Sequence, residues 1–174
     1  MVSATQPNWS VPVRLDEVPE SGLRFDLAAD AAVRTALAQT AGVEAVPRLE
    51  AEFDVIRYGR NGLRVTGIVS ATVRQTCVVT LEPIENDIRE PVDLTFVPGD
   101  AAAGVPVRED DLGAHEPPER LIGGGVDLAA IATEFLLLGI DPYPRKEGAV
   151  FTAPATEDAA DHPFAALAEL KKRS

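Results

Sequence analysis

The stretch LEAEFDVIRYGRNGLRVTGIVSATVRQTC, residues 49–77, decides the fold of this chain. It consists of two β-rich runs on either side of the four residues GRNG, in which Asn61-Gly62 follows Gly59. Such a glycine-rich sequence between two strands favours a hairpin loop with positive φ angles. The stretch therefore predicts one long β-hairpin, which is the strongest structural signal in the sequence.

The loop length sets which side chains of the hairpin lie opposite each other. If all four residues GRNG form the loop, Tyr58 faces Leu63 and Arg57 faces Arg64. Since side chains alternate between the two faces of a strand, one face then carries Leu63, Val65, Val69 and Val73. A shift of one residue in the pairing would move every side chain of a strand to the other face.

Further strands are predicted on both sides of the hairpin. Alternating apolar residues indicate short strands at 11–15 and 23–27. After the hairpin, five apolar positions alternate with charged ones and predict a half-buried third long strand: Ile84, Ile88, Val92, Leu94 and Phe96. The chain thus offers several strands in succession with no helix between the longest ones.

Two helices are predicted from their end signals. Asp30 is a suitable N-cap and Gly42 a suitable C-cap for the helix between them. Asp127 and Gly139 bracket a second, more apolar helix. Its buried stripe is expected at Leu128, Ile131, Phe135 and Leu138.

Antiparallel strands in succession with two helices predict an α+β fold, because parallel pairing would need crossovers between successive strands. We expect a mainly antiparallel β-sheet with a long central hairpin, flanked by two main helices, plus a short C-terminal helix. Residues 1–147 are expected to form a single domain, in which 98–125 is an acidic loop rich in glycine and proline. Residues 148–162 are interpreted as a flexible linker and 163–173 as the short amphipathic helix.

The charge of the chain is unevenly distributed. The 174 residues carry a net charge of −12, and residues 82–119 alone hold 11 acidic and 2 basic side chains. Non-specific binding to RNA or DNA depends on Lys and Arg at phosphates, so the chain is not expected to coat nucleic acid, and no DNA partner is predicted. The acidic segment 82–119 is either a solubilising surface or a face for a basic partner.

The cellular compartment is predicted from the cysteine count and the absence of apolar segments. A single cysteine allows no intrachain disulfide, which is typical of a reducing compartment. The N-terminal sequence has no basic and apolar leader, and the run FLLLGI is far shorter than the roughly 20 residues of a membrane span. We therefore expect a cytoplasmic protein without a membrane partner.

Cys77 is the one candidate nucleophile that the sequence presents, and its neighbours do not support that role. A catalytic thiol needs a base, usually histidine, and His115 and His162 both lie in proline-flanked loop sequences. A zinc site would need a second thiolate at Thr80, in the pattern C-V-V-T. Cys77 is therefore interpreted as a structural residue, and no catalytic residue, metal or cofactor is predicted.

Four arginines are candidates for local contact with RNA. Arg57, Arg60 and Arg64 would lie near the tip of the hairpin, and Arg74 further along the face of Arg64. Arginine can bind phosphate with two hydrogen bonds and can stack on bases. The alternative interpretation is that these are ordinary exposed polar positions of two strands.

The sequences TCVVTLEPIENDIREPVDLTFVP and, at a distance, VDLAAIATEFLLLGIDPYPRK resemble the YceD-like family of large ribosomal RNA subunit accumulation proteins. The C-terminal PFAALAELKKR is similar to the tail of alphaproteobacterial members. The resemblance covers roughly residues 46–100 and 126–173. It includes a Cys-x-x-Cys-Leu-x-Pro pattern, of which Cys77, Leu81 and Pro83 are present here as structural residues while Thr80 replaces the second cysteine.

The resemblance implies a role in accumulation or processing of the large-subunit ribosomal RNA, with no known set of catalytic residues. Combined with the charges, it suggests a scaffold in which the hairpin arginines approach precursor rRNA and the segment 82–119 meets a basic ribosomal protein or an rRNA-processing factor. Two alternatives remain open. One is an adaptor without RNA contact, whose C-terminal helix docks on a protein through Phe164, Leu167 and Leu170; the other is a thiol-dependent enzyme.

Overall fold

The computed structural model describes residues 9–99 and 118–151 of the chain. Its seven described strands are β1 (Pro12–Arg14), β2 (Leu23–Ala28), β3 (Ala45–Tyr58), β4 (Gly62–Thr76), β5 (Pro83–Val97), β6 (Glu119–Arg120) and β7 (Gly125–Asp127). The two described α-helices are α1 (Ala31–Ala41) and α2 (Leu128–Gly139), and a 3-10 turn spans Leu15–Glu17.

A five-stranded sheet in the order β2-β3-β4-β5-β6 forms the body of the fold, and β1 pairs with β7 in a separate two-stranded ribbon. All neighbouring strands are antiparallel except β5 and β6, which are parallel. The predicted α+β class, with a mainly antiparallel sheet built on a long hairpin and two main helices, is confirmed. Strands β3, β4 and β5 have 14 or 15 residues each, and they set the length of the sheet.

The hairpin between β3 and β4 has a three-residue loop, one residue shorter than assumed from the sequence. Tyr58 pairs with Gly62 and Arg57 with Leu63, so Arg57 does not face Arg64, which lies opposite Ile56. The assumed pairing was wrong because the positive φ that bends the chain is at Gly59 (φ 60°) and not at Asn61 or Gly62. Gly62 is instead the first residue of β4 and is paired with Tyr58.

One face of the sheet is packed into the core, as the period of two predicts. Leu63, Val65, Val69 and Val73 of β4 are all buried, and so are apolar residues on the same face of the neighbouring strands, such as Phe53 and Leu94. Gly67 lies in the middle of this face, directly opposite Phe53. A Cβ atom at Gly67 would be 2.8 Å from Cδ1 of the Phe53 ring, so the ring occupies the space that the glycine leaves.

Both described helices pack on this core face, and the opposite side of the sheet is called the open face below. Helix α1 has the predicted ends. The Asp30 carboxylate accepts a hydrogen bond from the Val33 N–H at 2.8 Å, and Gly42 adopts the left-handed conformation with φ 68°. The end signals read from the sequence are therefore sufficient to place this helix between β2 and β3.

Helix α2 begins at the predicted cap, but its buried stripe is different. Asp127 accepts hydrogen bonds from the N–H groups of Ala129 and Ala130, and also from Ser10 and Val11 next to β1. Leu138 is 71% exposed, contrary to the prediction, whereas Leu136 is fully buried. The reason is that the helix rests on a line of residues spaced four, four and three apart that ends in a small one: Leu128, Ala132, Leu136 and Gly139.

Several sequence predictions fall partly or wholly outside the described residues. Of the loop expected at 98–125, residues 118–125 are described, and they include β6 at Glu119–Arg120 and the first residue of β7. Of the linker expected at 148–162, residues 148–151 are described and form neither helix nor strand. The C-terminal helix expected at 163–173 lies outside the described residues, and the single-domain boundary at 147 stays a prediction.

Candidate functional site

The end of the β3–β4 hairpin carries two arginines that form no ion pair with any residue in the described ranges 9–99 and 118–151. Arg60 is exposed in the loop, and the exposed Arg57 donates a hydrogen bond from Nε to the Val18 carbonyl oxygen at 2.6 Å. That bond holds the Nε side of the Arg57 guanidinium in place, but no carboxylate in the described ranges pairs with the guanidinium charge. No carboxylate occurs between Val55 and Leu63, so the hairpin loop and its flanking residues carry only positive side-chain charges.

The other two predicted arginines are in a different situation, because carboxylates on β5 neutralise them. Arg64 donates two hydrogen bonds to Asp93 at 2.8 and 2.7 Å, and Arg74 donates two to Glu85 at 3.2 and 2.6 Å. The hydrogen bonds that Arg64 donates to Asp93, and then the negative charge of Asp93, raise the pKa of Arg64. Both arginines lie on the open face, as predicted, but their guanidinium groups are already engaged.

The rest of the open face continues this arrangement of paired charges. Arg24 contacts Asp26 and Glu52, and Arg48 contacts Glu50 and Asp87. The register places five arginines and seven carboxylates on this face: Arg24, Arg48, Arg64, Arg74 and Arg89, with Asp26, Glu50, Glu52, Asp54, Glu85, Asp87 and Asp93. A surface with an excess of carboxylates does not attract phosphate, so the middle of the sheet is a poor site for RNA.

Two residues at the hairpin end were not predicted from the sequence. Tyr58 is 47% exposed on the open face, where its phenol contributes to the electrostatic environment of Arg64. Arg120 arrives from β6, which pairs with Phe96 and Val97, and its guanidinium lies against Gly99. Arg120 could not be predicted, because a strand of two residues has no recognisable sequence pattern. Tyr58 could have been predicted, because it is an aromatic residue directly beside a glycine-rich loop.

A cleft of about 330 Å³ opens at this end of the sheet. Its walls are formed by the hairpin loop with its flanking residues and by the end of β5: Tyr58, Gly59, Arg60, Asn61, Gly62, Val97 and Pro98. We refer to it as the hairpin-end cleft. It combines an aromatic ring, a guanidinium and a carboxamide in one place, which is the set of groups that binds nucleotides and other planar polar ligands.

Cys77 lies in a buried corner at the opposite end of the sheet. The thiol sulfur accepts hydrogen bonds from the N–H groups of Lys146 at 3.2 Å and Thr80 at 3.4 Å. These bonds, that of Lys146 above all, lower the pKa of Cys77 to about 6. The Cys77 turn is closed by the bond from the Leu81 N–H to the Cys77 carbonyl, with Leu81 at φ 60°, and Pro83 then begins β5.

Contacts between two loops hold this corner together. Cys77 is fully buried, and the turn is held to the 140–148 loop by the bond from the Val78 N–H to the Pro144 carbonyl at 2.9 Å and by the Lys146–Glu82 ion pair at 2.8 Å. The structural role of Cys77, Leu81 and Pro83 stays a prediction. Within the described part of the chain, no three metal-ligating side chains converge.

The remaining predicted residues lie outside the described ranges. These are the partner-binding candidates Phe164, Leu167 and Leu170, the two histidines His115 and His162, and five of the carboxylates of the segment 82–119. Among the helices that are described, none has the length and apolar character needed to cross a lipid bilayer.

Comparison with known proteins gives one match. The model of a family described as large ribosomal RNA subunit accumulation protein YceD matches residues 65–171, more than half of the chain. The match begins inside β4, so it includes the Cys77 corner and α2 but not the hairpin loop. No curated protein and no solved structure matches the chain.

Proposed function

The chain belongs to the YceD family of large ribosomal RNA subunit accumulation proteins, and from that premise we propose that it is a non-catalytic factor that supports accumulation and processing of this RNA. In this role it acts as a scaffold, with one surface for precursor rRNA and another for a basic protein. The proposal extends the family assignment in two respects, the RNA contact and the partner, and each needs its own support.

The observation that carries the RNA contact is the difference in pairing between the arginines. The guanidinium charges of Arg57, Arg60 and Arg120 have no carboxylate partner among the described residues, and all three lie at the hairpin end of the sheet. Arg64 and Arg74 are held by Asp93 and Glu85. Unpaired guanidinium groups can bind phosphate without first breaking an ion pair, so we place the contact at the hairpin end.

The second surface rests on charge. The segment 82–119 has a net charge of −9, and its described carboxylates on β5 are largely paired with arginines of β3 and β4. The segment also contains Asp100, Glu109, Asp110, Asp111 and Glu116, which lie outside the described residues. A basic ribosomal protein or a basic rRNA-processing factor has the complementary charge, and such complementarity speeds and orients association. We expect these interactions in the cytoplasm.

The absence of catalysis rests on the environment of Cys77. Its thiol is fully buried, and the sulfur is contacted by backbone N–H donors and by the Thr80 hydroxyl, none of which is a general base such as histidine. A thiol that no substrate can reach has no use as a nucleophile. This supports the role of a binding factor over the thiol-dependent enzyme.

The test is affinity purification of the tagged protein from growing cells, with sequencing of the bound RNA and identification of the bound proteins. We expect enrichment of large-subunit precursor rRNA, lost in the Arg57→Ala/Arg60→Ala variant and retained in the Arg48→Ala/Arg74→Ala control. Equal loss of precursor rRNA in both variants would mean that the RNA contact lies on the open face of the sheet and not at the hairpin end. Proteins without RNA would replace the scaffold by the adaptor, and unchanged precursor levels after gene deletion would overturn the function altogether.

A further inference from the structure

We propose that the hairpin-end cleft binds one unpaired nucleobase of single-stranded RNA, stacked on the ring of Tyr58. The inference rests on the proposed function, because it assumes that the hairpin end contacts RNA, and it adds the chemical form in which the RNA is recognised. Its support is the shape of the cleft, the groups around it and their difference from the rest of the sheet.

The shape follows from a glycine between two larger residues. Tyr58 pairs with Gly62 across the hairpin, and the Leu63–Phe96 pair places Val97 beside Gly62 on the next strand. Gly62 has no side chain, so the Tyr58 ring leans over it, with Cδ1 3.4 Å from where a Cβ atom would lie, and the cleft is bounded by this ring and by Val97 and Pro98. Any Cβ atom at Gly62 would lie 2.7 Å from the carbonyl oxygens of Tyr58 and Phe96, which keeps this position a glycine.

The cleft has the size and exposure that a planar ligand needs. Its volume of about 330 Å³ falls at the lower end of the range typical of small-ligand pockets, about 300–1,000 Å³. The Tyr58 side chain is 47% exposed, so one part of it packs on the strand while another part faces the cleft. An exposed aromatic ring on a sheet surface is the platform on which proteins stack bases, and stacking tolerates any base because every base has a π face.

The polar groups around the ring match the remaining parts of a nucleotide. Arg60 and Asn61 are exposed in the loop above the cleft, and Arg120 lies against Gly99 at the end of the adjoining strand. A carboxamide can pair with the edge of a base, and guanidinium groups can bind the phosphates on either side of it. None of the lining residues is acidic, in contrast to the open face, where carboxylates outnumber arginines.

The base in the cleft has to be unpaired. A base inside an A-form duplex is stacked on both sides and offers no free π face to Tyr58, and sequence-tolerant recognition of this kind is found on loops, bulges and ends of RNA. Precursor RNA that is still folding presents many such segments. The cleft therefore fits a factor that contacts immature RNA better than one that contacts finished helices.

The test measures binding of the full chain to a labelled single-stranded oligoribonucleotide and to the duplex of the same sequence, with three tyrosine variants of confirmed fold. Loss of one stacked base corresponds to about a 10-fold higher Kd. We expect that change for Tyr58→Ala with the single strand, less than a twofold change for Tyr58→Phe, and none for Tyr143→Ala. Tyr143 is the matched control, because it is the other tyrosine of the chain and is 72% exposed outside the cleft.

Three results would overturn the inference. In the first, Tyr58→Ala binds like the unchanged protein while Arg57→Ala/Arg60→Ala binds weakly, which leaves the RNA contact in place without a stacked base. In the second, Tyr58→Ala weakens binding to the duplex as much as to the single strand. In the third, the unchanged protein binds no RNA but an aromatic peptide occupies the cleft, and the RNA contact of the proposed function then fails as well.

Discussion

At the scale of single residues, Cys77 shows how an inert role can coincide with an unusual pKa. The N–H groups of Lys146 and Thr80 converge on a sulfur that water does not reach, and they lower the thiol pKa to about 6. An unfolded cysteine has a pKa of about 8.5. The folded state therefore binds fewer protons than the unfolded state between these two values. A low thiol pKa is often taken as a sign of reactivity, but here the same bonds hold two loops together.

This difference predicts how stability depends on pH. Because the pKa of Cys77 is lower in the folded state, the free energy of unfolding should rise with pH from about 6 to the unfolded value of about 8.5. Below the folded pKa this contribution is absent. Urea unfolding at pH values below, within and above this window measures it, and Cys77→Ser, which does not titrate there, should lack the rise. Parallel pH profiles for the two proteins would show that the thiol is not ionised in the fold.

At the scale of elements, the sequence predicts most of the fold because the signals are local. Asp30 and Gly42 define α1, and Asp127 defines the start of α2, since caps act within one turn of their helix. The length of the hairpin loop cannot be predicted from local signals, because Gly59 and Gly62 both suit a turn. Only the pairing of the whole strands decides which of the two glycines lies in the loop. Likewise, Leu138 was expected to be buried but is exposed, and Leu136 is buried, because Gly139 lets the helix approach Ile88 closely.

The pairing of β3 and β4 leaves no space for a side chain at Gly67. A Cβ atom there would be 2.0 Å from the Glu52 carbonyl oxygen and 2.8 Å from the Phe53 ring, so Gly67→Ala must displace the centre of the hairpin. We expect a loss of about 1–3 kcal/mol in the free energy of unfolding, measured by denaturant unfolding. Thr66→Ala, one residue away on the open face, is the control and should cost less than about 1 kcal/mol. If the two variants were equally stable, the backbone at Gly67 would be more adaptable than this register allows.

At the scale of the whole molecule, the candidate site could be predicted only in part. The sequence suggests arginines of the hairpin as contacts, and Arg57 and Arg60 fit that role, but composition says nothing about which guanidinium groups are already paired. Arg64 and Arg74 are engaged because β5 runs antiparallel to β4 and brings Asp93 and Glu85 opposite them. Arg120 lies at the hairpin end because β6 pairs with β5 in parallel. The two strands are separated in the sequence by an intervening segment, so this contact is not local. Charge at a site is thus a property of the register and not of the sequence order.

The salt dependence of RNA binding follows from this distribution of charge. For single strands, log K falls with log salt concentration with a slope of about −0.7 for each phosphate that is neutralised. Contact through Arg57, Arg60 and Arg120 alone therefore predicts a slope of about −2 for binding of a short oligoribonucleotide. Measured Kd values over a series of salt concentrations give this slope. Arg60→Ala should make it shallower by about 0.7, whereas Arg48→Ala should leave it unchanged.

A slope much steeper than about −3 would mean that the four paired arginines of the open face, Arg24, Arg48, Arg64 and Arg74, leave their carboxylates to bind phosphate, and the hairpin end would then be only one part of a larger surface. A slope near −2 has a different meaning for a chain of net charge −12. It indicates that contact is confined to one positive end, while the remaining negative surface limits how closely a long RNA can wrap around the protein. Such a molecule touches RNA at a point and leaves most of its surface to a partner.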